Sequence, residues 1–281
     1  MDYSIKGIQG RFYFDTGSNA NNLSDEFADK IGLEYDKEKS VPAYSLDGYP
    51  MFIHFSHYLD SLFNHSTFIE KDSDFDVYDD NLDGLIGTPR TQRGIFDIDF
   101  KLRQLRFWDS IPKTSFAQKE IFELPLVKQD DGFEDNFSIA SSIAPAIRGQ
   151  IVLADSIVLP VNYILDSGVS EFMIVTVFDS TLFAKMINYK RETTQKFDKD
   201  YPTLRFQING LRIDTLLANV RTMKDLNEKD RVRPRNGSNI IMVNLGMKFL
   251  MMYDNVMIDR NNKRIYFVKS NTNIQQKKQA V

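Results

Sequence analysis

The chain has 281 residues, of which 42% are hydrophobic, and it carries a formal net charge of -4 at pH 7. This length and apolar content are sufficient for a large core, arranged as one large domain or as two lobes. The chain contains no cysteine, which excludes disulfide and thiol chemistry. The acidic balance without a basic stripe predicts no nucleic-acid surface, and the lack of any run of about 18 apolar residues predicts no membrane span.

Runs of strand-forming residues follow one another along the chain, and helical stretches are few. Aromatic and β-branched runs predict strands at Gly10–Phe14, Pro50–Phe55, Ile95–Phe100, Gln104–Trp108, Phe122–Val127, Ile151–Leu153, Ile157–Leu165, Thr203–Ile208 and, with a break, Val256–Phe267. Two helices are predicted, at Ser24–Ile31, where Ser24 caps the start and Gly32 ends it, and at Val177–Ile187. We therefore expect an all-β fold with a few short helices.

A diverged internal repeat organises the sequence. GRFYFDTGSN, from residue 10, resembles VNYILDSGVS, from residue 161, and each is an apolar strand that ends in Asp, a hydroxyl residue and Gly. Further on, LDGLIGTPRTQRGIFDIDFKLRQLRFW resembles IMVNLGMKFLMMYDNVMIDRNNKRIYFV, with Gly87 corresponding to Gly246 and Asp99 to Asp259. The simplest explanation of this repeat is two lobes with the same fold, which follow one another along the chain.

The repeat predicts the domain organisation. The first lobe is expected to cover residues 1–110 and the second lobe residues 150–270. Residues 111–149 would connect the lobes, and residues 271–281 are polar and read as a flexible tail.

The repeated Asp motif is a candidate active site. A carboxylate at the end of an apolar strand is costly to bury unless something compensates it. If the lobes pack about a pseudo-two-fold axis, Asp15 and Asp166 meet there and share a proton, because two adjacent carboxylates do not both ionise easily. The ionised carboxylate can then activate a water while the protonated one polarises an amide carbonyl, which permits peptide hydrolysis without a metal, Cys or His.

The other residues of the motif have physical roles beside the carboxylates. Gly17 and Gly168 allow a tight turn and close backbone approach. The hydroxyls of Thr16 and Ser167 can hydrogen-bond across to the opposite lobe and hold the two turns together.

These motifs, together with Leu85-Ile86-Gly87 and the later Ile-Asp and Leu-x-Phe pattern, resemble the aspartic proteases of the pepsin and retropepsin type, in the form of the bacterial retropepsin-like proteins. The resemblance covers about residues 5–110 and 145–268. It implies two pseudo-symmetric β-barrel lobes of the acid-protease kind, and a monomeric aspartic endopeptidase without cofactor or metal that acts on a peptide or protein substrate.

The resemblance also assigns residues to roles. Asp15 and Asp166 would be the catalytic dyad, supported by five neighbours: Thr16, Gly17, Ser18, Ser167 and Gly168. The main alternative is a catalytically weak or inactive protease-fold module that binds peptides in the cleft between the lobes.

A substrate-covering flap is expected from the family pattern. The matching segment is VPAYSLDGYPMFIHF, in which a turn stands between two strand-like runs, a strong hairpin signal. The flap residues would be Tyr44, Ser45, Asp47, Gly48 and Tyr49. An ordinary surface hairpin is the alternative.

Two positions in the second repeat depart from the family pattern. Asn244 stands where an apolar residue is typical, and Val169 stands where the first repeat has Ser18. Because Val169 cannot support the outer oxygen of Asp166, we predict that Asp15 is the more readily ionised carboxyl and that Asp166 holds the proton.

Two further features bear on metals and on compartment. DSDFDVYDDNLDG, from residue 72, has acids at calcium-loop spacing, but Val77 occupies the position that requires Gly, so we interpret it as a solvated acidic loop. The N-terminal MDYSIKGIQG does not have the pattern of a signal peptide. A longer N-terminus would favour the periplasm or cell envelope, and otherwise we expect a cytoplasmic protein.

Overall fold

The computed structural model shows a chain built from three sets of β-strands with a few short helices, which confirms the expected all-β fold. The structure describes residues 1–18, 21–44, 50–56, 67–70, 82–88, 94–112, 116–117, 119–127, 144–154, 157–177, 179, 181–186, 203–208, 211, 215–222 and 241–270. No helix within these ranges is long and apolar enough to cross a membrane.

The strands are numbered in chain order. They are β1 (Asp2–Ile5), β2 (Ile8–Asp15), β3 (Asn21–Ser24), β4 (Val41–Tyr44), β5 (Pro50–Ser56), β6 (Thr67–Glu70), β7 (Gly84–Gly87), β8 (Ile95–Asp99), β9 (Gln104–Trp108), β10 (Lys119–Pro125), β11 (Ala146–Ala154), β12 (Ile157–Leu165), β13 (Met173–Val177), β14 (Thr203–Gln207), β15 (Thr215–Thr222), β16 (Ile241–Leu245), β17 (Asn255–Asp259) and β18 (Arg264–Ser270).

The strands form three groups. Two groups are each built from one half of the chain, and the third combines strands from both halves. The first half forms a seven-stranded sheet in the order β1-β2-β7-β3-β6-β5-β4. The second half forms a closed ring in the order β11-β12-β16-β13-β15-β14. A five-stranded sheet, β10-β18-β17-β8-β9, takes strands from both halves.

Both halves use the same order of strand pairings. The strand that leads into each Asp turn has a parallel neighbour, since β2 pairs with β7 and β12 pairs with β16. The next strand along the sheet, β3 or β13, runs antiparallel to that neighbour and parallel to a further strand, β6 or β15. The sequence repeat is therefore present in the structure as a repeated topology.

Only the second half closes into a barrel among the described strands, which corrects the expectation of two barrel-shaped lobes. β11 has nine residues, and a bulge between Val152 and Ala154 accompanies its pairing with both β12 and β14. A bulge bends a strand and increases its twist, which favours closure. The counterpart β1 has four residues and pairs with β2 in the described part of the chain, so the first sheet stays open.

The shared sheet shows how the two repeats are related. In the ladder between β8 and β17, Asp99 lies opposite Asn255 and Ile95 lies opposite Asp259. In the repeat Asp99 corresponds to Asp259 and Ile95 to Asn255, so exchanging the repeats converts one pair into the other. An approximate two-fold axis therefore passes through this ladder.

The shared sheet also crosses the predicted domain limits. β8 and β9 were expected in the first lobe and β10 in the connection, yet all three lie in one sheet with β17 and β18. The predicted connection also overlaps β11, which begins at Ala146. The limits at residues 110 and 150 remain predictions from the sequence.

The helices agree with the sequence at one position and differ at another. Helix α1 (Asp25–Lys30) begins after Ser24, whose side chain accepts a hydrogen bond from the Phe27 backbone at 3.1 Å. The helix predicted from Val177 instead covers residues 181–186, because Val177 ends β13, a strand of five buried residues. Continuous burial of β-branched residues favours a central strand over a helix.

A buried ionic cluster lies in the shared sheet. The carboxylate of Asp97 is fully buried, and it accepts hydrogen bonds from Arg106 Nε and from the Asn255 side chain, both at 3.0 Å. Arg106 Nη2 also lies 2.7 Å from the Asp99 carboxylate. One guanidinium thus compensates two acids within the shared sheet.

Replacing Arg106 by Met should destabilise the fold, because it leaves both acids without their cation. The Arg106 side chain keeps 29% exposure, so we expect a loss of about 2–3 kcal/mol in the free energy of unfolding, below the range for fully buried pairs. Urea denaturation measures this loss. As the control, Arg264→Met breaks the exposed pair with Glu123 at 3.2 Å and should cost about 1 kcal/mol or less. Equal losses in the two variants would contradict this interpretation of the cluster.

Candidate active site

The two Asp motifs lie at equivalent ends of β2 and β12. Asp15 is the last residue of β2 and lies opposite Gly87 on the parallel strand β7. Asp166 directly follows β12, and its backbone N–H donates to Leu245 on the parallel strand β16 at 2.9 Å. Pairing with a parallel neighbour fixes the end of each strand. Backbone hydrogen bonds therefore hold the two turns in place independently of their side chains.

The hydroxyls of the two motifs cross between the turns. Thr16 N–H donates to Ser167 Oγ at 2.9 Å, and Ser167 N–H donates to Thr16 Oγ1 at 2.9 Å. Each hydroxyl then donates onward to the strand of the other repeat, Thr16 to the Leu165 carbonyl at 2.7 Å and Ser167 to the Phe14 carbonyl at 2.6 Å. Both hydroxyl residues are buried, so these reciprocal bonds form away from competing water.

Further side chains that were not predicted support the crossed turns. The Tyr13 hydroxyl donates to the Ser167 carbonyl at 2.8 Å, and the Thr88 hydroxyl donates to the Thr16 carbonyl at 2.6 Å. Asn21 accepts from the Gly87 backbone at 3.0 Å. Tyr13 and Thr88 lie within the repeated segments but are not part of the Asp motif itself, so only their position in the fold identifies their role.

The carboxyls of Asp15 and Asp166 are hydrogen bonded to each other. Each glycine of the motifs lies directly against the opposite carboxyl. A Cβ added to Gly17 would lie 2.4 Å from Asp166 Cγ, and one added to Gly168 would lie 2.5 Å from Asp15 Oδ2. No side chain fits in either place, which explains why both motifs end in Gly.

The two carboxyls receive different hydrogen-bond donors. Asp15 Oδ1 accepts from the backbone N–H groups of Gly17 at 2.8 Å and Ser18 at 3.2 Å. Asp166 Oδ1 accepts from the Gly168 N–H at 3.0 Å, and its Oδ2 accepts from the side-chain amide of Asn244. The dyad is therefore chemically asymmetric.

Burial raises the pKa of both carboxyls above the ordinary aspartate value. At Asp15 this rise is opposed by hydrogen bonds from Asp166 and from backbone N–H groups. At Asp166 the negative charge of Asp15 and their mutual hydrogen bond add to the effect of burial, so the pKa of Asp166 rises much further. We therefore expect Asp15 to ionise first and Asp166 to keep the shared proton.

The sequence predicts the same order of ionisation for a different reason. The sequence argument relied on an unsupported outer oxygen at Asp166, since Val169 carries no donor. The structure supplies a side-chain donor to Asp166 from Asn244, on β16, far away in the sequence. Burial and the charge of Asp15 raise the pKa of Asp166 despite this donor. An Asn in an apolar strand position was the available signal for this contact.

The predicted flap and the acidic loop are only partly described. β4 and β5 pair antiparallel, with Tyr44 opposite Pro50, as expected for a hairpin. Ser45, Asp47, Gly48 and Tyr49 lie outside the described residues, as does the core of the acidic loop from residue 72 to 81. Among the residues that the structure describes, no group of three or more acids and histidines is placed to hold a metal ion.

Comparisons with known proteins add little to this description. No family model matches the chain, and a search of curated proteins found no match. Among solved structures, basic 7S globulin from soybean matches with a TM-score of 0.40 and 11% identity, over 95% of this chain and 91% of that chain. A likeness this distant indicates nothing about function, which is therefore inferred from the residues of the site.

Replacing Thr16 by Val should destabilise the protein, because it leaves the Ser167 N–H and the Leu165 carbonyl buried without their partner. We expect a loss of about 2–3 kcal/mol in the free energy of unfolding, measured by urea denaturation. Thr16→Ser keeps the hydroxyl and is the matched control, with a much smaller expected loss. Equal stability of the Val and Ser variants would show that the crossed bonds contribute nothing.

Stability should also depend on pH through Asp166. Its pKa is raised in the folded protein, so the unfolded chain releases this proton first as pH rises from the ordinary value of 3.8. The free energy of unfolding should therefore fall as pH rises through the folded pKa, by at most about 1.4 kcal/mol per pH unit for one proton. In Asp166→Asn this decline should be shallower, whereas the exposed control Asp109→Asn should follow the wild type. Parallel wild-type and Asp166→Asn curves in urea denaturation would contradict the raised pKa.

Proposed function

We propose that the chain is an aspartic endopeptidase of the pepsin and retropepsin type, with Asp15 and Asp166 as its catalytic dyad. One observation carries this proposal. Two carboxyls, one from each repeat, with Asp15 partly exposed and Asp166 buried, are hydrogen bonded to each other at the point where the two turns are tied together. A pair of acids with unequal pKa values supplies a general base and a general acid in one place.

The proposed reaction uses the two protonation states of the dyad. The ionised Asp15 takes a proton from a water molecule while the water oxygen forms a bond to the peptide carbonyl carbon. Asp166 donates its proton to the carbonyl oxygen, which gives a neutral tetrahedral intermediate. When the intermediate collapses, the C–N bond breaks, the nitrogen takes the proton held by Asp15, and a hydroxyl returns a proton to Asp166.

The surrounding residues would act by holding this geometry. The crossed hydroxyls of Thr16 and Ser167 fix the separation of the turns, and Gly17 and Gly168 admit the opposite carboxyl. The hairpin of β4 and β5 is the proposed cover for a bound peptide, with Tyr44 at its described end. Pre-organised donors of this kind lower the cost of reaching the transition state because they need not rearrange.

Removing either carboxylate should abolish cleavage. In Asp15→Asn and Asp166→Asn the dyad loses its base or its acid, and we expect the kcat/KM for an unfolded protein substrate to fall by at least about 100-fold. The measurement is peptide release at several pH values from acidic to neutral. A peptide carrying a hydroxyl in place of the scissile carbonyl should inhibit the wild type, because it resembles the tetrahedral intermediate.

Asp109→Asn, which changes an exposed acid, is the matched control and should cleave at the wild-type rate. Cleavage that survives in Asp15→Asn would overturn the assignment. Binding of the hydroxyl peptide by a wild-type protein that cuts no substrate would favour the alternative, an inactive module that binds peptides.

A further inference from the structure

We propose that Asn244 is a positioning residue that orients the Asp166 carboxyl and sets how readily the dyad gives up its second proton. The inference deepens the proposed function and rests on it for the consequence in catalysis. The contact itself, an amide donor on a buried carboxyl, does not depend on that function.

The backbone around Asn244 is fixed on both sides. On β16 this residue lies opposite Ile164 of the parallel strand β12 and opposite Ile174 of the antiparallel strand β13. The residue is 3% exposed, and its side-chain Nδ2 donates to Asp166 Oδ2. A side chain on a central strand of a closed barrel has little freedom, so it presents its donor in one direction.

The contact breaks the symmetry of the two repeats. The residue that corresponds to Asn244 in the first repeat is Leu85, which has no side-chain donor. The first carboxyl instead takes hydrogen bonds from backbone N–H groups, among them those of Gly17 and Ser18 in its own turn and of Gly168 in the other turn. The amide of Asn244 is thus a side-chain donor at Asp166 that has no equivalent at the corresponding position of the first repeat.

The amide of Asn244 is expected to lower the pKa of Asp166. A hydrogen bond donated to a carboxyl stabilises the charged form more than the neutral form. The amide has no ionisation of its own in the range where the dyad titrates. Asn244 therefore opposes the rise in the pKa of Asp166 that burial and Asp15 cause. With an apolar residue in this position, the second proton of the dyad would be held to higher pH.

Few titratable groups surround this contact in the described part of the chain. Asp15 faces Asp166 from the first repeat and shares the proton with it. On the adjoining turns, the Tyr13 hydroxyl donates to the Ser167 carbonyl at 2.8 Å, and Glu171 accepts from the Ser170 hydroxyl at 3.1 Å. On β16 itself, Asn244 and its neighbours are uncharged. The predicted effect of Asn244 is therefore exerted on the dyad.

The test replaces Asn244 by Leu and follows the two carboxyls directly. In protein labelled with 13C at the Asp carboxyls, the two ionisation steps of the dyad are assigned with Asp15→Asn and Asp166→Asn. We expect the higher of the two pKa values to rise by about one pH unit in Asn244→Leu, while the lower value changes less. If the Leu variant does not fold, Asn244→Ala removes the same amide without adding bulk.

Asn255→Leu is the matched control. Asn255 is also 3% exposed and donates to a buried carboxylate, that of Asp97 at 3.0 Å, but it lies in the shared sheet away from the dyad. Its loss should lower stability without moving either ionisation step of the dyad. If Asn255→Leu shifted the higher pKa of the dyad as much as Asn244→Leu does, the shift would be a general effect of losing a buried amide. That result would overturn the proposal.

The pH dependence of cleavage separates this inference from the proposed function. If the protein cleaves peptides, the pH at which kcat/KM declines on the alkaline side should be higher in Asn244→Leu than in the wild type. The difference should equal the change in pKa recorded by the carboxyl titration. Cleavage with unchanged ionisation steps would refute the role of Asn244 and leave the proposed function intact. A shifted ionisation step in a protein that cleaves nothing would refute the proposed function and support the role of Asn244.

Discussion

The reciprocal hydrogen bonds between Thr16 and Ser167 are the interaction on which the candidate site depends. Two carboxyls brought together out of water repel each other and lose hydration, so their approach is unfavourable by itself. The crossed bonds, each buried and each continued to a strand of the other repeat, hold the turns together against that cost. The pKa values of Asp15 and Asp166 are raised as a consequence, mainly because burial disfavours the charged carboxylates and, at Asp166, also because of the negative charge of Asp15.

The crossed turns in turn require the two halves to be held in register by the rest of the fold. The shared sheet provides this, since β8 and β17 come from different halves and pair across the approximate two-fold axis. Its buried carboxylate, that of Asp97, is compensated by Arg106 and Asn255, so the sheet can hold a charged group out of water. Among the strands that the structure describes, the two halves differ away from the axis, since the second-half strands form a closed ring and the first-half sheet is open.

The departures from symmetry are as informative as the repeat. The sequence identified Asn244 and Val169 as irregular positions, but it treated them separately. In the fold they are related, because the Asn244 side chain donates a hydrogen bond to the Asp166 carboxyl, which the Val169 side chain cannot do. Sequence reasoning could not make this connection, since it gives no distance between residues on β16 and in the turn after β12. The same limit explains why Tyr13 and Thr88 were missed.

The sequence by itself determined the all-β character, the repeat and the identity of the two acids, because alternation, strand propensity and a duplicated motif are all local patterns. It also predicted the Ser24 cap of α1 and strand β12 to the residue. Only the tertiary structure decided that one half closes, that β8 and β9 join a sheet shared with the second half, and which groups hydrogen-bond to each carboxyl. These features depend on contacts between residues distant in the chain, and the order of residues alone does not specify such contacts.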